Sequence, residues 1–575
     1  MNREPESPGS RIFGFLLLVL ATATILTNAY YLQFLEPSIS RKTLALALVV
    51  VTAMWFLAAR VEISWKATRT PVLLAAILAI AFSLRYTGAR SGLPQSYIPD
   101  EYDYVHSYLV MIKRGDMNPR WWHHPSVQPY VNVAAYLVAY YSQASSGRWR
   151  SIHALQVEDA LLWGRVAAGV IPGTLTVLAV FFLGRRMFGE TVGLIAAVLL
   201  AVAPGVVEVS QYNKPDALLV LFCALSVLTT LVYLDQGGAK LAFAAGAVVG
   251  LTVAVKYNGA FVLLPFLAAI AFRHGLRSFG RPDLYLGLAG TVFGFTLGCP
   301  YFFADLGRFL NHVGAGLYNY GYLGIEGASG VDNWYTHASY TVRYGAGLFP
   351  LLASLLGLAI ALYRIDRRIA VFLTYPVLYY SFYSSQKIIF AGNLVPVYPF
   401  FAVLAGYGIT EAASLLSTVL NRPFAGRAAF ALLLVGVLWF PLSMTRLRNR
   451  LVTLPDTGTI AGDWIEAQFP PGTSFGVERQ TPVLDPARYK IQMESRVINR
   501  SVDHHREAGV EYLIVSSTVY ERFNPEHRQT RAYKRLFETC LLVKEFAPVE
   551  GKIMGPTIRI LEVPKKSMGK SSVSG

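Results

Sequence analysis

Asp100 and Glu101 stand as adjacent carboxylates in YIPDEYDYVHSYLVMIKRGD, residues 97–116, directly after three strongly apolar stretches. In the same segment Val105, Tyr108, Leu109 and Ile112 recur at i, i+3, i+4 and i+7, the stripe of a helix lying on an apolar surface. Pro99 suits a first turn, which places both carboxylates at the helix N-terminus, where acidic groups complement the helix dipole. The same placement suits a general base. A carboxylate held at a membrane boundary takes the proton of a hydroxyl opposite a lipid-borne leaving group.

Further polar groups gather nearby. GDMNPRWWHHPSVQPYV packs Asp116, Arg120, Trp121, Trp122, His123 and His124 into one loop. The tryptophans suit interfacial anchors. His123 and His124, with Asp100 and Glu101, are the residues that would hold a divalent metal ion, although adjacent histidines in a loop serve equally as hydrogen-bonding groups. VEVSQYNKPDALL brings Glu208, Tyr212, Asn213, Lys214 and Asp216 to the head of another apolar segment, where Pro215-Asp216 also reads as a helix start.

Lys256, in VAVKYNGAFVLLP, interrupts two apolar arms of roughly 15 residues, each about 23 Å long at 1.5 Å per residue and short of the roughly 30 Å hydrocarbon core. A hairpin there submerges the cation, whose natural partner is a lipid phosphate or a carboxylate, unless it snorkels to the interface. In SSQKIIFAGNLVPVYPFF, Lys387 is a second cation for a phosphate, and Asn393 precedes two prolines that distort the start of a span.

These residues must be positioned by a membrane scaffold. The chain has 575 residues, 54% hydrophobic and 15% charged, with a mean hydropathy of +0.42, too apolar for an ordinary soluble protein. Spans are predicted near 12–33, 42–60, 70–88, 160–183, 191–207, 215–234, 240–256, 258–273, 284–303, 346–363, 369–385, 394–414 and 426–445, with 127–142 left as interfacial or spanning. The expected class is therefore mainly α, a polytopic membrane protein with about 13 transmembrane helices.

Arginines at 185, 186, 273, 277, 281, 364, 367 and 368 fall on one side, so the positive-inside rule puts the N-terminus in the cytoplasm and the loops 89–159 and 304–345 outside. The first span is read as an uncleaved anchor. Residues 446–564 are predicted to be an extracytoplasmic α/β domain, with a helix in TIAGDWIEAQFP and strands in TSFGVE, EYLIVSS, LLVKEFAP and TIRILEV. A disordered tail is expected at 565–575.

Several function classes are disfavoured. The net charge of +16 comes largely from loop arginines facing the cytoplasm in this orientation, so nucleic acid is not an expected partner. Three cysteines, two of them in predicted spans, give no disulfide framework or metal-ligand spacing. There is no P-loop, no strand–GxGxxG–helix arrangement and no zinc-protease helix. A transporter or lipid-linked saccharide flippase would carry ionisable residues along a mid-membrane path, whereas most carboxylates here sit at the outer ends. A polymerase or ligase using lipid diphosphate donors is the remaining alternative.

The order of PDEYDY, GDMNP, HHPS, NKPDALL, KYNG and NLVPVYPFFAVLAG resembles the polyprenyl-phosphate-sugar-dependent glycosyltransferases of the GT-C superfamily, above all the protein O-mannosyltransferase and aminoarabinose transferase branch, family 39-like. The resemblance covers roughly residues 70–445, with residues 1–69 as extra N-terminal helices. It implies a multi-pass enzyme of the plasma (bacterial inner) membrane that inverts the sugar it moves from a polyprenyl monophosphate to an acceptor hydroxyl on protein, lipid or glycan.

The resemblance assigns the general base to Asp100, with Glu101 and Asp216 shaping the pocket. Lys256, with Lys214 and Lys387, is expected at the donor phosphate, and Tyr102, His123, His124, Glu208, Asn213, Tyr257 and Asn393 against substrate. The family usually has a basic residue just before the NLVP-type stretch, whereas this chain reads Ala391-Gly392-Asn393.

Overall fold

The computed structural model describes residues 65–93, 98, 100–144, 149, 151–318, 333–341, 345–386, 391–521 and 527–565. The two spans expected before residue 65, Lys387 and Pro99 lie outside the described residues.

Helices dominate as the apolar runs predict. In chain order they begin with α1 (Trp65–Ala89), α2 (Glu101–Arg114), α3 (Val127–Ala144), α4 (Val157–Arg165), α5 (Ile171–Phe188), α6 (Glu190–Val202) and the short α7 (Pro204–Val209). There follow α8 (Asp216–Gln236), α9 (Ala239–Val255), α10 (Leu263–His274), α11 (Pro282–Gly298), α12 (Leu306–Tyr318) and α13 (Asn333–Tyr340). The membrane part closes with α14 (Leu348–Tyr363), α15 (Arg367–Ser385), α16 (Tyr398–Val419) and the long α17 (Pro423–Val452).

Six helical runs among the described residues are long and apolar enough to cross a membrane, and α6, α9 and α14 are shorter apolar helices. The chain is a multi-pass membrane protein. The region expected as a loop at 89–159 is mostly helical: α2 and α3 pack with α4 around Tyr104, Val105, Tyr108, Leu109, Val133 and Tyr136, all buried. Three of the four residues in the α2 stripe are thus core, and Ile112 packs against them.

Helix packing is closest where α9 meets α11. A Cβ at Gly246 would overlap the Gly287 carbonyl, one at Gly250 the Thr291 carbonyl, and one at Gly294 the Ala247 carbonyl. Small residues on both helices let the two backbones touch, which is how helices associate when lipid removes any hydrophobic gain from meeting.

At the end of the bundle remote from Asp100, α5, α8 and α15 are tied by Asp235, which receives Arg186 at 2.6 Å and Arg368 at 2.7 Å. Arg186 and Arg368, two of the predicted loop arginines, thus share one end of the molecule.

After α17 the chain forms an α/β unit with α18 (Thr457–Gln468), α19 (Val502–Glu507), α20 (Ser517–Tyr520) and α21 (Arg528–Thr539). Its strands are β1 (Ser474–Val477), β2 (Lys490–Met493), β3 (Tyr512–Ser516), β4 (Leu541–Phe546) and β5 (Ile558–Glu562), ordered β2-β1-β3-β5-β4. β1 is parallel to both β2 and β3, while β5 is antiparallel to β3 and β4. Four of these strands match the predicted ones. β2 is missed because KIQM is short and lies at an edge with no buried residue, leaving no alternation to read.

Gly250→Leu should force α9 off the Thr291 carbonyl and cost about 1–3 kcal/mol of overpacking. A thermal unfolding midpoint in detergent that falls, with less folded protein recovered, is the expected result. An unchanged midpoint would show that the seam tolerates separation.

Candidate functional site

Asp100 occupies the position just before α2 with φ 67° and ψ −14°, a left-handed conformation. It makes no side-chain cap, and its carboxylate is 64% exposed. The expected dipole-capping role therefore falls to Glu101 and Asp103 in the first turn. Aspartate and asparagine tolerate left-handed backbone better than most residues, so the residue type matches the geometry.

Glu101 is fully buried. Arg165 grips it bidentately, Nε to Oε1 at 2.8 Å and Nη2 to Oε2 at 2.7 Å, and the Asn213 amide donates to Oε1 at 2.8 Å. The remaining Arg165 donor, Nη1, reaches the carbonyls of Ala89 at 3.0 Å and Ser91 at 2.6 Å. One ion pair thus joins the end of α1, the start of α2, the end of α4 and the segment before α8.

Arg165 was not singled out by the sequence. Its signal was present, since a lone arginine inside an otherwise apolar predicted span demands a carboxylate partner.

Asn213 is likewise spent on the protein itself: its amide NH is on Glu101, its Nδ2 donates to the Tyr136 hydroxyl at 3.0 Å, and its Oδ1 accepts from Gln128 at 3.2 Å. The expectation that Glu101 acts in catalysis or metal binding and Asn213 on substrate meets a plain obstacle, because buried polar groups take the nearest partners and these have taken theirs.

The other charges converge. Lys256 breaks the helix after α9 with an extended backbone (φ −157°, ψ 137°) before a 3-10 turn over Tyr257–Val262. Its Nζ bonds Asp216 Oδ1 at 2.8 Å, joining two predicted residues from separate helices. Lys214 lies 3.9 Å from Asp100.

His124 is half-buried beside this group, its Nε2 2.8 Å from the Tyr104 hydroxyl. Burial, reinforced by the charges of Lys256 and Lys214, depresses its pKa to about 3 despite the opposing field of Asp216, so the ring is neutral at physiological pH. Asp100, Lys214, Asp216, Lys256, Tyr104 and His124 form one contiguous polar cluster.

The remaining predicted residues are placed as follows. Tyr102 is half exposed and stacks on His106. His123 packs between Trp121 and His312, at ring distances of 5.0 and 4.9 Å. Tyr257 donates to the Trp122 carbonyl at 2.8 Å, fixing the tryptophan loop to the Lys256 turn. Glu208 turns to Arg448 at 3.3 Å and accepts from Tyr212 at the same distance. Asn393 is buried in a 3-10 turn over Ala391–Val397, with no partner for Nδ2 among the described residues.

Among the described residues no group of three or more His, Cys, Asp or Glu side chains converges as a metal site. Of the four residues named for a metal, Glu101 is paired with Arg165, Asp100 lies 3.9 Å from Lys214, His124 bonds the Tyr104 hydroxyl and His123 packs between Trp121 and His312.

Arg448, near the end of α17, carries a second network that the sequence did not reveal. Its guanidinium reaches Glu208, the Tyr212 hydroxyl and Gln211 Oε1. Asn449 donates to the Leu84 carbonyl and accepts from Gln211 Nε2, each at 2.7 Å. Between α4 and α5 a π-helical turn, Val166–Val170, lays Gly169 against the Ser210 carbonyl. Turns of this kind occur frequently at functional sites. The segment 208–216, which carries Lys214 and Asp216, is therefore held from three sides.

The fold is shared with the solved structures of ArnT and of the archaeal oligosaccharyltransferase AglB. A family model described as dolichyl-phosphate-mannose-protein mannosyltransferase matches residues 150–297, well short of half the chain. ArnT from Cupriavidus metallidurans in the apo state aligns over 86% of this chain and 98% of its own at 14% identity, with a TM-score of 0.52. The same protein bound to undecaprenyl phosphate aligns over 87% and 98% at 14% identity, TM-score 0.51. The archaeal oligosaccharyltransferase AglB from Archaeoglobus fulgidus, in complex with an inhibitory peptide and a dolichol-phosphate, aligns over 79% and 70% at 12% identity, TM-score 0.50. No curated protein sequence matches the chain.

Removing one member of the Glu101–Arg165 pair strands the other charge in the interior. Arg165→Met should cost about 3–5 kcal/mol. The double variant Glu101→Leu/Arg165→Met should be milder than Arg165→Met alone, and thermal unfolding of the three proteins checks this order.

His124 gives a pH signature. In the unfolded chain it binds a proton below its ordinary value of 6.5, whereas in the fold it does so only near 3, so stability falls as pH drops through that window. His124→Gln should lose less stability than wild type between pH 6.5 and 4; equal losses would show that other groups carry the effect.

Proposed function

We propose that this protein transfers a sugar from a polyprenyl monophosphate to an acceptor hydroxyl at the membrane face that carries Asp100, with inversion at the anomeric carbon. The observation that carries this reading is the cluster in which an exposed carboxylate, Asp100, lies 3.9 Å from Lys214, with Lys256 held by Asp216 in the same group of charges. A glycosyl transfer needs these two charge types on opposite sides of one carbon.

In the proposed reaction the acceptor hydroxyl attacks the anomeric carbon, and Asp100 takes its proton. The bond from that carbon to the phosphate oxygen breaks, and the electron pair leaves with the lipid phosphate. General-base assistance is typically worth about 10²–10⁴ in rate. Lys256 and Lys214 would receive the phosphate charge in a site poor in water, where fixed charges act most strongly. Asp216 holds Lys256 in place, and we assign Glu101 to positioning Asp100 rather than to the chemistry.

The fold shared with ArnT, which has been solved with undecaprenyl phosphate bound, and with AglB, solved with a dolichol-phosphate, supports a monophosphate lipid as the donor. The arginines gathered at the opposite end support an extracytoplasmic placement of Asp100 and the α/β unit, in a plasma (bacterial inner) membrane with the N-terminus in the cytoplasm. The sugar, hexose or pentose, is left to the donor assay.

The test is release of free polyprenyl monophosphate by the lipid-reconstituted protein across a panel of polyprenyl-phosphate sugars. Asp100→Asn should lower release about 10²–10⁴-fold without loss of stability, because asparagine suits the left-handed backbone and the replaced side chain is exposed and caps nothing. Undiminished release would remove Asp100 as the base. Lys256→Met should raise the donor KM and Lys256→Arg should restore much of it; equal donor dependence in both would leave Lys256 as only a partner of Asp216. Release from no donor would overturn the monophosphate reading.

A further inference from the structure

A cavity of about 700 Å³ lies between the Asp100-side ends of α1 and α17 and the α/β unit. Its size falls within the range of small-molecule sites, about 300–1,000 Å³. Its walls carry Arg90 and Tyr212 from the membrane part, Thr453 from the end of α17, and Ser517 and Thr518 from the start of α20.

The cavity adjoins the charge cluster without being part of it. Ile98, two residues before Asp100, lines it, as does Arg165 from the ion pair that holds Glu101. Its floor includes Gln211 and Tyr212, which Arg448 clamps and which lead directly to Lys214 and Asp216.

The lining chemistry is that of a neutral polyol site. Hydroxyls, the rings of Tyr86 and Tyr212 and the guanidinium of Arg90 are present, while the lining carboxylate, Asp456, is committed to capping α18 by accepting from the Thr459 amide at 2.7 Å. The second guanidinium, Arg165, is neutralised by Glu101. The site therefore lacks the concentrated positive charge that a phosphorylated head group would require. A peptide is disfavoured for a different reason: the two edge strands, β2 and β4, contribute no residue to the lining, so no free strand edge is available for backbone pairing.

We propose that this cavity binds the non-reacting sugar units of a saccharide acceptor, so that the acceptor hydroxyl of the transfer belongs to a glycan. This rests on the transfer reading for its role but not for its binding chemistry.

The test uses the reconstituted full chain. The three native cysteines are buried, so Thr518→Cys and, on the facing wall, Thr453→Cys introduce accessible thiols whose maleimide labelling is followed with and without neutral oligosaccharides (maltotriose, cellobiose and their manno counterparts). Labelling at both positions should slow about tenfold when a saccharide is present at about ten times its Kd, and a serine- and threonine-containing peptide or glycerol phosphate should not slow it.

No protection by any saccharide, or equal protection by the peptide or glycerol phosphate, overturns the inference even where polyprenyl phosphate release upholds the transfer reading. Saccharide protection in a protein that releases no lipid phosphate upholds the cavity as a saccharide site and overturns the transfer reading instead.

Discussion

The Asp100 end of this molecule is organised around one buried ion pair. Glu101 and Arg165 meet where four segments converge, and all three nitrogens of the guanidinium and both oxygens of the carboxylate are hydrogen-bonded. Two charges removed from water are stable together only when their remaining hydrogen-bonding capacity is filled. Here it is filled by backbone groups of α1's end, of the following turn and of Asn213, so the pair cannot form unless those segments are already in place. That makes it a check on assembly as much as a source of affinity, and it fixes the backbone one residue away, where Asp100 stands exposed.

The division of labour between Asp100 and Glu101 follows from this. Adjacent residues at a helix start point in different directions, so a pair of carboxylates there divides into one facing the interior and one facing solvent. The inward residue is satisfied completely and has no capacity left for substrate. The outward one keeps an exposed carboxylate, 3.9 Å from Lys214, on a rigid mount. Asp216 and Lys256 repeat the pattern with opposite polarity: a nearly buried carboxylate holds a cation at a break in the helix, where backbone extension turns the side chain toward the same cluster.

Much of this was legible in the sequence because membrane physics leaves few choices. Apolar length fixed the helices, and the ionisable residues that remained were conspicuous: Asp100, Lys214, Asp216 and Lys256 are named by charge in an apolar setting and do meet in space. What the sequence hid was pairing. A carboxylate at 101 reads the same whether its partner is a substrate or an arginine 64 residues on, and nothing local distinguishes the two. Arg448 was hidden for another reason, since an arginine among several at a helix end looks like an ordinary loop cation until Glu208 and Gln211 are seen to face it. The edge strand β2 escaped because two-residue periodicity appears only where one face is buried.

The placement of Arg448 also bears on why an α/β unit is attached at this point of the chain. At 30 residues α17 is about 45 Å long, against a hydrocarbon core of roughly 30 Å. Its last turns therefore stand clear of the lipid, and they are the turns that carry Thr445, Arg448 and Asn449. Those three side chains bond the Val202 carbonyl, the Gln211–Tyr212 pair and the Leu84 carbonyl. The rod is thus anchored to α1, α6 and the 208–216 segment before it enters the sheet-bearing unit. A flexible tether would have let that unit drift over the membrane. An anchored rod keeps Thr453, Ser517 and Thr518 on the wall of the cavity that Tyr212 also lines.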